Sequence, residues 1–130
     1  MKGYITNIEK VTKENTDYRR VLYTAHNSQL VLMNIRPGEE IGEEVHNLDQ
    51  FIRFETGTGK VVLDNVEHDV EAEHAVVIPA GTKHNVINTG DTELKLYTIY
   101  SPPEHQDGVM HRTKEEASAS DEHFGGKTTE

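Results

Sequence analysis

The chain has 130 residues, enough for one domain that buries roughly two thirds of its unfolded surface around a single modest core. Only 34% of the residues are hydrophobic and there is no Trp, so that core has to be compact. A formal net charge of −10, from 23 acidic and 13 basic residues, repels nucleic acid and anionic lipid, which bind through Lys and Arg. The absence of Cys excludes disulfides, thiolate metal sites and cysteine nucleophiles. Residues 1–20 hold no apolar leader and no run is long enough to span a membrane, so the expectation is a soluble, cytoplasmic protein.

In chain order, apolar-polar alternation predicts strands at Tyr4 to Ile8, Tyr18 to Tyr23, Gln29 to Ile35, Phe51 to Phe54, Lys60 to Leu63, Ala75 to Ile78, His84 to Ile87 and Leu94 to Tyr100. Turn residues separate them: Pro37-Gly38, Gly57-Thr58-Gly59, Asp64-Asn65, Pro79-Ala80-Gly81 and Thr89-Gly90-Asp91. Many short strands with no long helical period predict an all-β sandwich or barrel over residues 1–103. No internal repeat is visible, so one barrel is expected and not two.

Ser101-Pro102-Pro103 closes the β region, and 104–130 is a polar C-terminal tail. Thr113 followed by Glu116 fits a helix capping box, which predicts one or two helical turns near Lys114 to Ser118. The tail is either mobile, as its composition favours, or pinned across the barrel or a partner subunit by Val109, Met110 and Phe124.

Two segments stand out by spacing. In the first, Gly38, Glu44, His46, Gln50 and Gly57 follow one another at intervals of six, two, four and seven. In the second, Pro79, Gly81, His84 and Asn88 stand two, three and four apart. This pair resembles the two motifs of the cupin superfamily: Gly, five residues, His-x-His, three or four residues, Glu, six residues, Gly; then Gly, five residues, Pro-x-Gly, two residues, His, three residues, Asn. Glu44 replaces the leading His, Gln50 the Glu, and Glu73 the leading Gly of the second motif. The resemblance implies a single jelly-roll barrel, or double-stranded β-helix. It places Glu44, His46, Gln50 and His84 where the family's four metal ligands stand.

The residue types suit that role. Side chains two apart on a strand share a face, so Glu44 and His46 point together, and an unbulged strand adds Gln50 while turning Asp49 outward. Two imidazoles and a carboxylate suit one divalent transition ion, Fe, Mn or Zn, with Ni also accommodated. Gln50 either ligates through its amide oxygen or hydrogen-bonds a ligand of the metal. Isolated strand histidines are more often hydrogen-bonded core residues, and the paired spacing is what lifts His46 and His84 above that reading. Ile52, Phe54 and Val86 share the ligands' phase and are expected to line an apolar pocket.

Asn88, Gly57 and Gly81 read as structural. Arg53 and Glu55 read as an outward ion pair, and Tyr97 and Tyr100 fit either face. His26, His68 and His74 fall in polar turns and read as solvated. His105, His111 and His123, with Asp107 and Asp121, read as tail residues able to bind adventitious metal, the alternative being that a ligand from the tail reaches the site.

Three functional readings follow. The resemblance implies a small-molecule metalloenzyme of dioxygenase, isomerase, decarboxylase or epimerase type. Similar small chains are often labelled relatives of mannose-6-phosphate isomerase. A sugar-phosphate site needs converging cations, yet only Arg53, Lys60 and Lys83 lie near the motifs. The second reading is a non-catalytic module for a sugar or carboxylate, and the third a metal-free structural dimer. A homodimer is expected in any case, through an exposed edge strand at Tyr4 to Ile8. The catalytic residues are unknown at this stage.

Overall fold

The computed structural model describes residues 2–130. Its elements are α1 (Ile8–Glu14), β1 (Arg19–Thr24), β2 (Gln29–Ile35), β3 (Asp49–Thr56), β4 (Thr58–Leu63), β5 (Val66–Glu71), β6 (Ala75–Ile78), β7 (His84–Asn88), β8 (Leu94–Ser101), β9 (Met110–His111) and α2 (Lys114–Ala119). The strands form two antiparallel sheets, one of six strands in the order β6-β3-β8-β2-β1-β9 and one of three in the order β5-β4-β7. Together they make the jelly-roll barrel that the resemblance implies.

The two sheets bury their alternating inner faces against each other. On β8, Leu94, Leu96, Thr98 and Tyr100 point inward, and on β3 Gln50, Ile52 and Phe54 do so. Register then sorts the interior into layers. Met33, Leu96 and Phe54 lie side by side, then Val31, Thr98 and Ile52, then Gln29, Tyr100 and Gln50. The first layer is apolar and the last is polar, so the interior is polar at one end of the barrel. Ile52, Phe54 and Val86 are core residues, each at most 1% exposed.

Residues 4–8 are not a strand. Ile8 instead opens α1, with the Asn7 side chain accepting from the Lys10 amide at 3.1 Å as N-cap. Glu9 to Lys13 and Lys10 to Glu14 ion pairs run along its exposed face. The alternation of Tyr4, Thr6 and Ile8 concealed this helix. Its contacts run to β3 and β8, and this places it on the six-stranded sheet. The edge strand expected to join two copies is therefore absent at this position.

Two strands were not anticipated. β5 carries a single buried residue, Val70, so it shows no alternation. Asp64 and Asn65 both take positive φ and turn β4 back into it. β9 is only two residues long and adds to the free edge of β1.

The 104–130 segment is packed onto the barrel. Val109 packs against the core, and the Phe124 amide donates to the Glu104 carbonyl at 2.9 Å. Met110 is exposed within β9. In α2 the Thr113 hydroxyl accepts from the Glu116 amide, as the capping box predicts. No helix among the described residues is long and apolar enough to cross a membrane.

Candidate metal and ligand site

The site is assembled by backbone pairing between the two motif segments. Glu44 and His84 form an antiparallel bridge that adds residues 40–44 to the free edge of β7. The chain then bends at Asn47 and Leu48 and crosses to the six-stranded sheet, where β3 begins at Asp49. Residues 44–50 are therefore not one continuous strand, contrary to the parity argument. The Pro79-Ala80-Gly81 turn clamps this crossing: the Gly81 amide donates to the His46 carbonyl at 2.8 Å, and the Ala80 amide to Asp49 Oδ1 at 2.9 Å. Asp49 is exposed, as expected.

Three of the four expected ligands converge through their side chains. His46 Nε2 lies 3.1 Å from Glu44 Oε2, and the His46 and His84 ring centroids are 5.2 Å apart. Gln50 enters the same end of the barrel from β3. Its amide nitrogen donates to Thr98 Oγ1 at 3.0 Å, and its buried Oε1 has no partner. His84 Nδ1 lies 2.9 Å from the Thr82 carbonyl, which places the proton there and leaves the Nε2 lone pair free.

Two residues read as tail join them. Gln29 accepts from the amides of Glu104 and His105 and donates to the His105 carbonyl at 2.7 Å. That holds Glu104 with its carboxylate 3.6 Å from His46 Nδ1. His105 and His111, read only as tail residues, are 7% and 8% exposed. His105 Nδ1 lies 2.8 Å from Glu122, and its ring meets the edge of Tyr100. Tyr100 is buried and points inward, whereas Tyr97 lies on the other face of β8 against Phe51. His26, His68, His74 and His123 are exposed.

Charge is concentrated here. Burial works to raise the Glu44 carboxyl, but the His46 hydrogen bond and charge outweigh it and the net direction is down. His46 is raised, chiefly by its hydrogen bond to Glu44, against the cost of burial. Burial pushes His105 down to about 4 and the Tyr18 hydroxyl up to about 12.

The residues fit a divalent ion in donor type. A carboxylate and one imidazole meet, a second imidazole lies beside them, and a buried amide oxygen stands without a partner. The 3.1 Å between His46 Nε2 and Glu44 Oε2 is close to the separation of two adjacent donors each about 2.1 Å from one ion. Among the described residues, no three His, Asp or Glu side chains are already gathered around one point. The pair is closed on itself instead, with His46 held by Glu44.

The cations near the motifs are engaged elsewhere. Lys60 pairs with Glu67 at 2.9 Å, Lys83 with Glu43 at 3.6 Å, and Arg53 with Glu55 at 2.8 Å. Glu55 is buried at a bulge in β3, so only the Arg53 side of that pair is outward. A groove of about 530 Å³ lies away from the site, along β4, β5 and β6. Its lining is mostly aliphatic, and its His68 and His74 are exposed, so it gathers no comparable chemistry.

Residues 31–100, more than half of the chain, match the cupin domain family. The chain is a cupin. It is 45% identical to the uncharacterized protein YrkC of Bacillus subtilis (strain 168), over 93% of this cupin and 69% of that protein. The crystal structure of BH2720 from Bacillus halodurans superposes with a TM-score of 0.89 at 47% identity, covering 92% of this cupin and 96% of that chain. A more distant relative is the Streptomyces cyaneus protein named polyketide synthase CurC, 28% identical over 91% of this cupin and 80% of its own length.

Proposed function

We propose that this cupin holds one divalent transition ion at the polar end of its barrel and acts there on a small molecule. His46, His84 and Glu44 would hold the ion, with the amide oxygen of Gln50 completing the set. The observation that carries this reading is the meeting of Glu44 and His46 beside His84, next to a buried Gln50 oxygen that no protein group satisfies. A buried acceptor without a partner is costly, so a native barrel keeps one where a ligand uses it.

Such an ion supplies Lewis acidity, and in the case of iron or manganese also redox capacity. The protein groups do the rest. The hydrogen bond from His84 Nδ1 to the Thr82 carbonyl fixes the tautomer that presents a lone pair. Glu44 cancels one of the two charges of the ion. Tyr100, Thr98 and the Ile52 side chain close the floor, so a small molecule would enter from the side of residues 104–105. The enzymatic part of this reading is supported by the CurC likeness, whose name places that relative in biosynthesis. Isomerase- and dioxygenase-type reactions are the classes this donor set suits.

A second reading is a module that binds a small sugar or carboxylate without turnover. Water-proton relaxation of the Mn(II)-loaded protein separates a ligand-accessible ion from a closed one. Strong enhancement means an open position, as the enzyme reading requires. No enhancement means an ion that only braces the barrel, and the proposal of chemistry at the site falls.

A further inference from the structure

Among the described residues, Arg19 is a half-buried cation that the motifs do not account for. Arg19 lies on β1 two residues before Val21, a core residue, and is paired across the sheet with Met33, another. Strand parity therefore turns Arg19 inward. Its guanidinium carbon sits 5.4 Å from the centre of the Tyr18 ring. Nη1 donates to His111 Nδ1 at 3.3 Å. Nε is buried and has no partner. Among the described residues, no carboxylate lies within ion-pairing distance of it, although Glu44, His46, Tyr100 and His105 all feel its charge.

This is an unusual state for an arginine. A guanidinium taken out of water without a carboxylate is costly, and its planar fork is best used on a two-oxygen anion. His111 occupies Nη1, which leaves the edge formed by Nε and Nη2. That edge is the side of the fork that takes a carboxylate through two parallel hydrogen bonds.

We infer that Arg19 anchors the carboxylate of a small organic acid inside the barrel. The inference rests on reading the barrel interior as a ligand site, but not on the metal. A carboxylate is favoured over a phosphate because a single guanidinium stands there. Glu44 and Glu104 both approach His46, and Glu44 feels the charge of Arg19, so a dianion would be repelled more strongly than a monoanion.

The test uses the full chain in two forms, stripped with a chelator and reloaded with Zn(II). Sodium acetate is titrated against ¹⁵N-labelled protein while the Arg19 Nε–H resonance is followed, with acetamide and inorganic phosphate as controls. Arg19→Met and Arg19→Lys are titrated alongside by calorimetry, and zinc content is measured separately in every sample. The expected result is a saturable shift with acetate and none with acetamide. Binding should be at least tenfold weaker in Arg19→Met and intermediate in Arg19→Lys, with zinc content unchanged.

An Arg19 resonance that ignores acetate in the wild-type protein overturns the inference, and that readout needs no variant to fold. So does equal acetate affinity in Arg19→Met, or tighter binding of phosphate than of acetate. Loss of zinc with acetate binding intact would instead remove the metal reading and leave this one standing.

Discussion

Glu44 and His84 exchange both backbone hydrogen bonds, the Glu44 amide to the His84 carbonyl at 2.8 Å and the His84 amide to the Glu44 carbonyl at 2.9 Å. Residues paired in this way carry their side chains on one face, with Cα atoms roughly 5.5 Å apart. Two chemical groups from different motifs are thus set side by side by main chain alone. Replacing either side chain removes chemistry without removing the bridge.

Gln50 stands where the family carries a glutamate, and its Oε1 is buried without a partner. Gln50→Glu is expected to raise the affinity for Zn(II) at least about tenfold, because a formal charge replaces an amide dipole. The same change should lower the stability of the metal-free protein by roughly 1–3 kcal/mol, the cost of a buried unpaired carboxyl group. Competition against a calibrated chelator reads the first effect and thermal unfolding the second. An unchanged affinity would take position 50 out of the metal's reach.

Glu73 adopts φ +74°, the left-handed region that a side chain with a Cβ disfavours. It occupies the position of the second motif's leading glycine, and its side chain is exposed. Glu73→Gly should therefore stabilise the fold by about 1 kcal/mol. Denaturant unfolding at constant slope measures it, and a loss of stability would show that the carboxylate makes a contact worth more than the strain.

Asn88 is 2% exposed and ties three points together. It donates to the carbonyls of Ile35 and Thr92, both at 2.8 Å, and accepts from the Gly90 amide at 2.9 Å. Asn88→Ala leaves those groups unsatisfied in the interior and is expected to cost about 2–4 kcal/mol. The midpoint of urea unfolding should fall accordingly. A change under about 0.5 kcal/mol would mean that water replaces the amide.

His105 gives the molecule an acid-sensitive clasp. Burial, then the charge of Arg19, holds its imidazole down to about 4, against the pull of Glu122. The unfolded chain takes up the proton at about pH 6.5, so the stability from this group is complete above that value. It is lost as pH falls from about 6.5 towards about 4, up to roughly 3 kcal/mol. His105→Gln should flatten the stability profile in that window, measured as the difference from wild type at each pH. Parallel profiles would show that His105 takes up its proton equally in the folded and unfolded states.

The barrel was legible in the sequence because its strands alternate. Gln29 to Ile35 and Ala75 to Ile78 match β2 and β6 at both ends, and the Pro79-Ala80-Gly81 turn does lie between β6 and β7. Helix α1 was hidden because Tyr4, Thr6 and Ile8 mimic an edge strand, while the cap that decides the matter is one side chain, Asn7. β5 was hidden because its one buried residue, Val70, sets no period. Glu44, His46, Gln50 and His84 were singled out by motif spacing, and the fold brings Glu44, His46 and His84 close together.

Arg19 and Glu104 were not, since they come from outside both motifs and reach the site only through tertiary structure. Parity with Val21 was the available signal for Arg19. Nothing local marked Glu104, which Gln29 places from 75 residues away. The same dependence on tertiary contacts explains why the burial of His105 and His111 was not visible in a polar tail.

Metal content tests the central claim most directly. Elemental mass spectrometry on protein purified without a His-tag should be run on the wild type, His46→Ala and His84→Ala. About one transition ion per chain in the wild type, lost from both variants while their far-ultraviolet spectra stay unchanged, is the predicted result. A wild-type protein that carries no metal, even after incubation with Fe(II), Mn(II) or Zn(II), would contradict the account.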